Sequence, residues 1–167
     1  ILGELIYEKV DDKSQFQWSR QLRQNRDPDG RFTVCSFDAS FEYGYEYIGN
    51  GGRLVVTPLT DRIYCTCCQA YNLKMGCAPA GPAGTGKTET TKDLAFALAV
   101  CIYVFNCSPE MDYISMGNIF KGLGASGSWG CFDEFNRLRL EVLSVCTVQY
   151  KAILDVLRAN DTFPQRG

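Results

Sequence analysis

Polar stretches and a row of alternating aromatics mark the start of the chain. Residues 1–30 are polar and irregular, with a short amphipathic pattern, and they end in a turn signal at 27–30. Aromatic side chains then occupy every second position from 41 to 47, which predicts a strand. Because acidic residues and glycine stand between them, a packed sheet face is favoured over a platform that stacks bases. We therefore interpret residues 1–48 as a small strand and helix appendage in front of a main domain at 49–167.

Short apolar runs separated by helical patterns make up the main domain. Residues 53–56 are a short β-prone run. The run at 100–105 is continuously apolar, which is typical of a strand buried on both faces. We predict three strands of one sheet, at residues 75–80, 100–105 and 129–134.

Helix patterns lie between these strands, and several have recognisable ends. Thr57 and Pro58 supply a cap residue and a first-turn proline for one helix, and Asp112 can cap another that ends by Gly127. Asn160 and Pro164 are expected to stop the last helix. Strands that alternate with helices in this way predict an α/β fold, a parallel sheet flanked by helices. The helix capped by Thr57 begins at residue 58, and two further helices are predicted over 87–99 and 140–159.

Composition narrows the class of protein. The 167 residues are 46% hydrophobic and 22% charged, as in a globular domain. A net charge of −2 and a pI of about 5.2 argue against a nucleic-acid surface. No apolar run reaches the roughly 20 residues of a membrane span. The nine cysteines do not contain the two C-x-x-C motifs that a zinc site commonly uses, and the chain has no His. We therefore expect reduced, mostly buried thiols rather than a zinc site.

An eight-residue stretch fits the phosphate-loop pattern of a glycine, four residues, then Gly-Lys-Thr. Backbone N–H groups must wrap around a polyphosphate there, and glycines let the main chain come that close. Lys87 is expected to reach the β and γ phosphates, Thr88 to ligate Mg²⁺, and the following helix to direct N–H groups at the anion. A glycine-rich turn before a helix is the alternative. The stretch consists of Gly81, Pro82, Ala83, Gly84, Thr85, Gly86, Lys87 and Thr88.

Two adjacent carboxylates end the predicted strand at 129–134. Parallel strands gather their carboxyl ends at the sheet edge where a phosphate loop also lies, so Asp133 is expected to reach Mg²⁺ through water. Glu134 is expected to take a proton from an attacking water. A solvated turn is the alternative for the pair alone. Asn106 either orients Glu134 or is a turn residue at the end of the neighbouring strand. Arg137 is either a charge partner at a subunit or module boundary or a surface cation.

Five segments of the chain resemble one family. They are similar to the end of the linker and the first AAA+ module of a dynein heavy chain, and the resemblance extends from about Ser14 to Arg158. Residues 88–93 and 111–113 are closer to axonemal than to cytoplasmic dyneins. The implied fold is a P-loop NTPase of the AAA+ type. The matching segments are residues 41–47, 57–62, 81–93, 104–108 and 131–137.

The resemblance implies the main hydrolytic ATP site, with Mg²⁺, of a ring motor that walks on microtubules. By position, Lys87 and Thr88 match its phosphate and metal ligands, and Glu89 adjoins them. Asp133 matches its metal-organising acid, Glu134 its catalytic base and Asn106 its glutamate switch. The segment that packs on adenine would consist of Leu54, Val55, Thr57, Pro58 and Leu59.

Partners and location also follow from the resemblance. The implied partners are the rest of the heavy-chain ring, whose neighbouring module supplies an arginine, the dynein intermediate and light chains, and microtubules. No nucleic acid and no membrane is expected. The implied location is the cytoplasm and cytoskeleton, and more narrowly the axoneme of a cilium or flagellum.

The family's sheet continues with a sensor strand and a helical lid after the last residue of this sequence, so the resemblance implies a module incomplete at its C-terminus. An arginine finger from a neighbour is worth about 10³–10⁵ in rate. We therefore expect the 167 residues alone to bind ATP weakly and to hydrolyse it very slowly or not at all. Two alternatives stay open: a non-hydrolysing ATP-binding structural or regulatory module, and, less favoured, a small phosphoryl-transfer enzyme.

Overall fold

The computed structural model describes residues 1–82 and 84–161. The chain forms two compact units, Ile1–Val100 and Cys101–Gly167. The second unit alternates strands with helices and contains a parallel strand pair, so the predicted α/β class is confirmed. The predicted boundary at residue 48 stays a prediction. Within the described ranges, none of the helices combines the length and apolar character that a membrane span needs.

The first unit begins with an antiparallel sheet in the order β1-β2-β3. The predicted turn at 27–30 joins the first two strands, and Gly30 closes it with a φ of 84° and an N–H that donates to the Asp27 carbonyl at 2.9 Å. Val34 and Phe41 face each other in the register and are buried. The prediction of irregular structure over 1–30 is wrong, because two short helices and one strand form there. These elements are α1 (Leu2–Tyr7), α2 (Phe16–Ser19), β1 (Arg23–Arg26), β2 (Phe32–Ser36) and β3 (Ala39–Glu42).

The aromatic row at 41–47 is not one strand, which corrects the prediction. After β3 the backbone turns away: the Gly44 N–H donates to the Leu98 carbonyl at 2.9 Å and the Glu46 N–H to the Ala99 carbonyl at 3.0 Å. A Cβ on Gly44 would lie 2.3 Å from the Ala99 carbonyl oxygen. These contacts compete with strand pairing, so the row leaves the sheet where glycine allows close approach.

Two helices complete the first unit, α3 (Pro58–Asn72) and α4 (Lys87–Leu98). The predicted cap of α3 is confirmed as a capping box: the Thr57 hydroxyl accepts from the Thr60 N–H at 3.2 Å, and the Thr60 hydroxyl accepts from the Thr57 N–H at 2.8 Å. Cys67 of α3 is buried, whereas Leu59 at its start is exposed. The buried face of α4 includes Leu94, Ala95 and Leu98.

No strand forms at 53–56 or at 75–80, so the predicted strand before the phosphate loop is wrong. Residues 75–80 are exposed except for the half-buried Pro79. A strand needs a neighbour for its N–H and C=O groups, and the three strands described in this unit pair only among themselves. The segment is therefore apolar in sequence without being part of a sheet.

The second unit is built on β4 (Ile102–Asn106) and β5 (Trp129–Asp133), which run parallel. The prediction that the first of these is buried on both faces is wrong: Tyr103 is 52% and Val104 40% exposed, because in the described part of the chain this strand pairs only with β5. The core beneath consists of Cys107, Met116, Leu138, Val142 and Cys146.

Two helices pack together in this unit, α5 (Tyr113–Ser126) and α6 (Leu140–Asp161). The predicted caps of α5 are confirmed: the Asp112 carboxylate accepts from the Ser115 N–H at 2.8 Å, and Gly127 ends the helix with a φ of 69°. The last helix extends two residues past its predicted end at 159 and includes Asn160. The other predicted stop, Pro164, lies outside the described residues.

Candidate functional site

The phosphate loop leads directly into α4. Gly84 has a φ of 78°, and Gly86 caps the helix with a φ of 80° and a ψ of 19°. Both values lie in the left-handed region that a side chain disfavours, so glycine is required at these two predicted positions. The loop therefore presents its backbone at the N-terminus of a 12-residue helix, where unpaired N–H groups favour an anion.

The Lys87 side chain folds over its own loop. Its Nζ donates to the Gly81 carbonyl at 2.8 Å and to the Pro82 carbonyl at 2.7 Å, and the Thr85 hydroxyl donates to the same Pro82 oxygen at 2.9 Å. Lys87 is half-buried as a residue, and its two hydrogen bonds hold the ammonium group against the loop. An anion bound by the loop N–H groups would meet this charge. Ala83, also predicted in the loop, lies outside the described residues.

The two residues after the lysine differ in their surroundings. Thr88 is half-buried in the first turn of α4. Glu89 is exposed, and its carboxylate accepts from Lys92 Nζ at 2.7 Å on the same helix. The Thr88 hydroxyl, directly after the loop lysine, is a candidate metal ligand. The Glu89 carboxylate is instead engaged by an ion pair on the helix surface.

Asp93 connects α4 to the segment upstream of α3. Its carboxylate accepts from the Leu54 N–H at 3.3 Å and from the Tyr64 hydroxyl in a short hydrogen bond. Burial raises the pKa of Tyr64, and the bond to Asp93 raises it further. Sequence reasoning missed both Asp93 and Tyr64, for which the only signal was an acid beside the apolar face of α4. This contact fixes the start of the predicted adenine segment against the helix that follows the loop.

The predicted adenine segment remains largely open to solvent. Leu54 is half-buried, whereas Val55 is 76% and Leu59 60% exposed. Thr57 and Pro58 are used by the start of α3, as cap and first residue. The segment therefore offers apolar side chains at a position held by Asp93, and its contact with adenine stays a prediction.

The predicted carboxylates lie at the carboxyl end of β5. Asn106 and Asp133 are register partners in the parallel pair, and the Cys107 N–H donates to the Asp133 carbonyl at 2.9 Å. The predicted place of Asn106, at the end of the neighbouring strand, is confirmed. Because Glu134 follows directly, the strand pairing brings one amide and two carboxylates to the same edge.

Glu134 adopts a left-handed conformation, with φ 52° and ψ 39°. Its N–H donates to the Asp133 carboxylate at 3.1 Å, and its own carboxylate forms an ion pair with Arg137, Nε to Oε2 at 3.5 Å. Such a conformation is uncommon for a residue with a Cβ and is found at functional sites. The turn directs Glu134 out of the strand. Arg137 is a 58% exposed cation that pairs with Glu134 within the chain, and its role at a subunit or module boundary stays a prediction.

No group of three or more Cys, Asp and Glu side chains is arranged to hold a metal ion in residues 1–82 and 84–161. Magnesium at a nucleotide needs fewer protein ligands, since it keeps several waters and binds substrate phosphates. The Thr88 hydroxyl of the first unit and the Asp133 carboxylate of the second unit are each an oxygen donor of the type that Mg²⁺ prefers.

Comparison with known proteins identifies relatives of this arrangement. Residues 43–164 match the family described as the hydrolytic ATP binding site of the dynein motor region. The chain is 62% identical to the dynein alpha chain of the flagellar outer arm from Chlamydomonas reinhardtii, over 98% of this chain. It is 56% identical to dynein axonemal heavy chain 17 from Homo sapiens and 55% identical to a ciliary dynein beta chain from Tripneustes gratilla, each over 95% of this chain. The chain spans 4% of the length of each of these three relatives.

Proposed function

We propose that this chain, which belongs to the family of the hydrolytic ATP binding site of the dynein motor region, binds and hydrolyses ATP as part of a microtubule motor. The observation that carries the proposal is the geometry of the phosphate loop. Left-handed Gly84 and Gly86 expose the backbone at the start of α4, and Lys87 places its ammonium group 2.7–2.8 Å from two loop carbonyls. Few arrangements other than an anion site require all three features together.

Triphosphate binding would use the loop in two ways. Its N–H groups and the N-terminus of α4 would hold the phosphate oxygens, and Lys87 would exchange its two carbonyl contacts for the β and γ phosphates. The loop contributions come from Gly81, Pro82, Ala83, Gly84, Thr85 and Gly86. Thr88 would bind the Mg²⁺ that accompanies ATP, and Glu89 would adjoin it. The metal would neutralise part of the charge that develops during phosphoryl transfer.

Adenine would be recognised mainly by apolar contact. The upstream segment presents exposed Val55 and Leu59 beside half-buried Leu54, with Thr57 and Pro58 held by the start of α3. Covering these side chains with a planar base would remove apolar surface from water, at about 25 cal/mol for each Å². The Asp93 contact to the Leu54 N–H supports the role by fixing the segment.

Hydrolysis would depend on the edge at the end of β5. Asp133 would organise the Mg²⁺ sphere, and Glu134 would act as the general base for an attacking water. Asn106, paired in register with Asp133, is suited to hold the Glu134 carboxylate in or out of position. The 3.5 Å ion pair with Arg137 would have to open or shift for Glu134 to accept a proton.

The wider assembly is proposed from the relatives, which are named as flagellar outer-arm, axonemal and ciliary dyneins. We place this chain in an axonemal heavy chain, with 1–48 as the end of a linker and 49–167 as part of the nucleotide domain. A neighbouring module of the ring would then supply an arginine, worth about 10³–10⁵ in rate. Microtubules and the intermediate and light chains would be partners of the whole heavy chain.

A second candidate function is ATP binding without hydrolysis. One observation favours it: the Glu134 carboxylate is engaged by Arg137, which would keep it from a water molecule. Measuring phosphate release under single-turnover conditions distinguishes the two functions, since only the first yields free phosphate from bound ATP.

The proposal is tested by titrating a complete heavy chain that carries these residues with a fluorescent ATP analogue and Mg²⁺. Lys87→Ala removes a charged donor, whose hydrogen bonds are each worth about 1.5–3 kcal/mol, so affinity should fall about 10- to 100-fold. Lys92→Ala is the matched control, because Lys92 lies on the same helix and pairs only with Glu89 among the contacts described for it. Equal affinities for the parent and Lys87→Ala chains would refute nucleotide binding at this loop.

A further inference from the structure

The cysteines of this chain differ in exposure more than the sequence predicts. None of the nine forms a disulfide; four are buried, four are half-buried, and Cys77 alone among them is exposed. Cys77 belongs to the segment at 75–80 that precedes the phosphate loop, four residues before Gly81. Since thiol chemistry requires access to solvent, Cys77 is the cysteine best placed to react.

A second cysteine lies in contact with it. The Cys67 thiol of α3, 8% exposed, forms a hydrogen bond with the Cys77 sulfur. Two further contacts hold the segment there: the Met75 N–H donates to the Ala70 carbonyl at 2.8 Å, and Cys77 Sγ lies 4.0 Å from the carbonyl of Thr66. The chain thus doubles back along the end of α3 and places an exposed thiol against a buried one.

The hydrogen bond between the two thiols shifts their pKa values in opposite directions. When Cys67 S–H donates to the Cys77 sulfur, the bond stabilises a thiolate on Cys77, and it lowers the pKa of Cys77 to about 7. The same bond, together with burial, raises the pKa of Cys67. Cys67 and Cys68 are the titratable groups of α3 that interact with Cys77. Near neutral pH a large share of Cys77 is therefore the nucleophilic form.

We propose that Cys67 and Cys77 form a peroxide-sensitive thiol pair, an oxidation site in which Cys77 is the attacking residue and Cys67 the resolving one. The Cys77 thiolate attacks one oxygen of hydrogen peroxide, the O–O bond breaks, and hydroxide leaves, so Cys77 becomes a sulfenic acid. The Cys67 sulfur then attacks the Cys77 sulfur. An S–S bond forms, the S–O bond breaks, and the oxygen departs as water with the Cys67 proton. The hydroxide takes up the proton that Cys77 lost when it ionised, so two thiols have lost two electrons and the peroxide has become two waters.

The product would join α3 to the segment that leads into the phosphate loop. That segment forms no strand and is almost entirely exposed, so it has room to adjust to the S–S bond, whose geometry is restrictive. The disulfide would close a ring from 67 to 77. Thioredoxin-type dithiols would reverse the reaction by thiol–disulfide exchange.

Peptide mass analysis of the full chain after hydrogen peroxide treatment tests this directly. Trypsin cleaves after Arg62, Lys74 and Lys87, so Cys67 falls in the peptide 63–74 and Cys77 in the peptide 75–87. We expect a cross-linked pair of these peptides, lighter than their sum by two hydrogens and separated by reductant. Its rate of formation should rise as pH increases through about 7, because the thiolate attacks.

Three single variants assign the bond. Cys77→Ser should abolish the cross-link. Cys67→Ser should abolish it too but leave Cys77 open to sulfenic acid trapping by dimedone, which shows that the attacking thiol is intact. Cys65→Ser is the matched control, since it lies in the same peptide and the same helix and should leave the cross-link unchanged. Fragment ions that place the bond on Cys65 or Cys68, or the absence of any cross-link in the parent chain, would overturn the proposal.

Discussion

The two groups of residues proposed to act on ATP are held in place by different means. The contacts described for the phosphate loop are between near neighbours, and the longest of them, from Lys87 Nζ to the Gly81 carbonyl, spans six positions. The edge that carries Asp133 depends instead on the pairing of β5 with β4, whose residues are far apart in the sequence. The loop can therefore keep its shape wherever α4 begins, whereas the edge exists only when the parallel pair has formed.

This difference is visible just upstream of the loop. Residues 75–80 form no strand and are largely exposed, yet Gly84 and Gly86 still adopt their left-handed conformations. At the other group, Glu134 owes its position to the end of a strand and a left-handed turn. We infer that the loop determines ATP affinity and the edge determines turnover, and the Glu134 variant tests this division.

The largest effect is expected from Glu134→Gln. The amide keeps the shape of the side chain but cannot accept a proton as a general base, which is worth about 10²–10⁴-fold. Phosphate release by a complete heavy chain should fall by that factor, while ATP affinity changes by less than about threefold. Glu141→Gln, an exposed acid in the first turn of α6, serves as the control and should leave both unchanged. If Glu134→Gln weakens ATP binding as strongly as Lys87→Ala, the division between loop and edge is wrong.

Local signals in the sequence predicted most of what the structure confirms. The glycines of the loop, the Thr57 capping box and the Asp112 cap each depend on residues a few positions apart, and each is found where it was expected. Such features are fixed by φ preferences and by donors within one turn of a helix.

The strand predictions that failed concern partners that lie far away in the sequence. The apolar run at 75–80 lacks a neighbouring strand, and the aromatic row leaves its sheet at Gly44 because the Leu98 and Ala99 carbonyls accept its N–H groups instead. Asp93 could not be assigned a role because its two donors, from Leu54 and Tyr64, approach from other elements. The hydrophobic periodicity and the secondary-structure propensity of a segment carry no information about which other segment will contact it.

A smaller effect is expected on the free energy of unfolding when one glycine from each unit is changed to alanine. Gly44→Ala places a methyl group 2.3 Å from the Ala99 carbonyl oxygen, a backbone atom, so the chain must move. Gly130→Ala meets Leu123 Cδ1 at 2.4 Å and Phe132 Cε2 at 3.0 Å. Both atoms belong to side chains, and the end of Leu123 can rotate away. We expect Gly44→Ala to lower the free energy of unfolding by about 1–3 kcal/mol and Gly130→Ala by less than about 1 kcal/mol.

Urea denaturation at neutral pH gives both values. Gly122→Ala is the reference, because a Cβ there meets open space and alanine is favoured over glycine within a helix by about 0.5–1 kcal/mol. Equal losses at Gly44 and Gly130 would show that the close approach of residues 43–46 to the end of α4 is not maintained in solution.

The smallest expected effect concerns the contact that ties the upstream segment to the helix after the loop. Tyr64→Phe removes the hydroxyl that donates to Asp93. Because the half-buried Asp93 can replace that donor with water, the loss in the free energy of unfolding at pH 7 should be about 1 kcal/mol. Tyr7→Phe is the control, because Tyr7 is exposed, and it should lower the free energy of unfolding by less than about 0.5 kcal/mol.

The pH dependence of the same variant checks the cause. Burial and the Asp93 contact raise the pKa of Tyr64 above its ordinary value of 10.0, so the folded state favours the neutral phenol. This contribution to stability is fully present below pH 10 and is lost as the pH rises toward the folded-state pKa. Urea midpoints of the parent chain should therefore fall more steeply above pH 10 than those of Tyr64→Phe. Parallel curves for the two would mean that Tyr64 titrates as freely in the folded chain as in the unfolded one, and that Asp93 does not hold the segment through it.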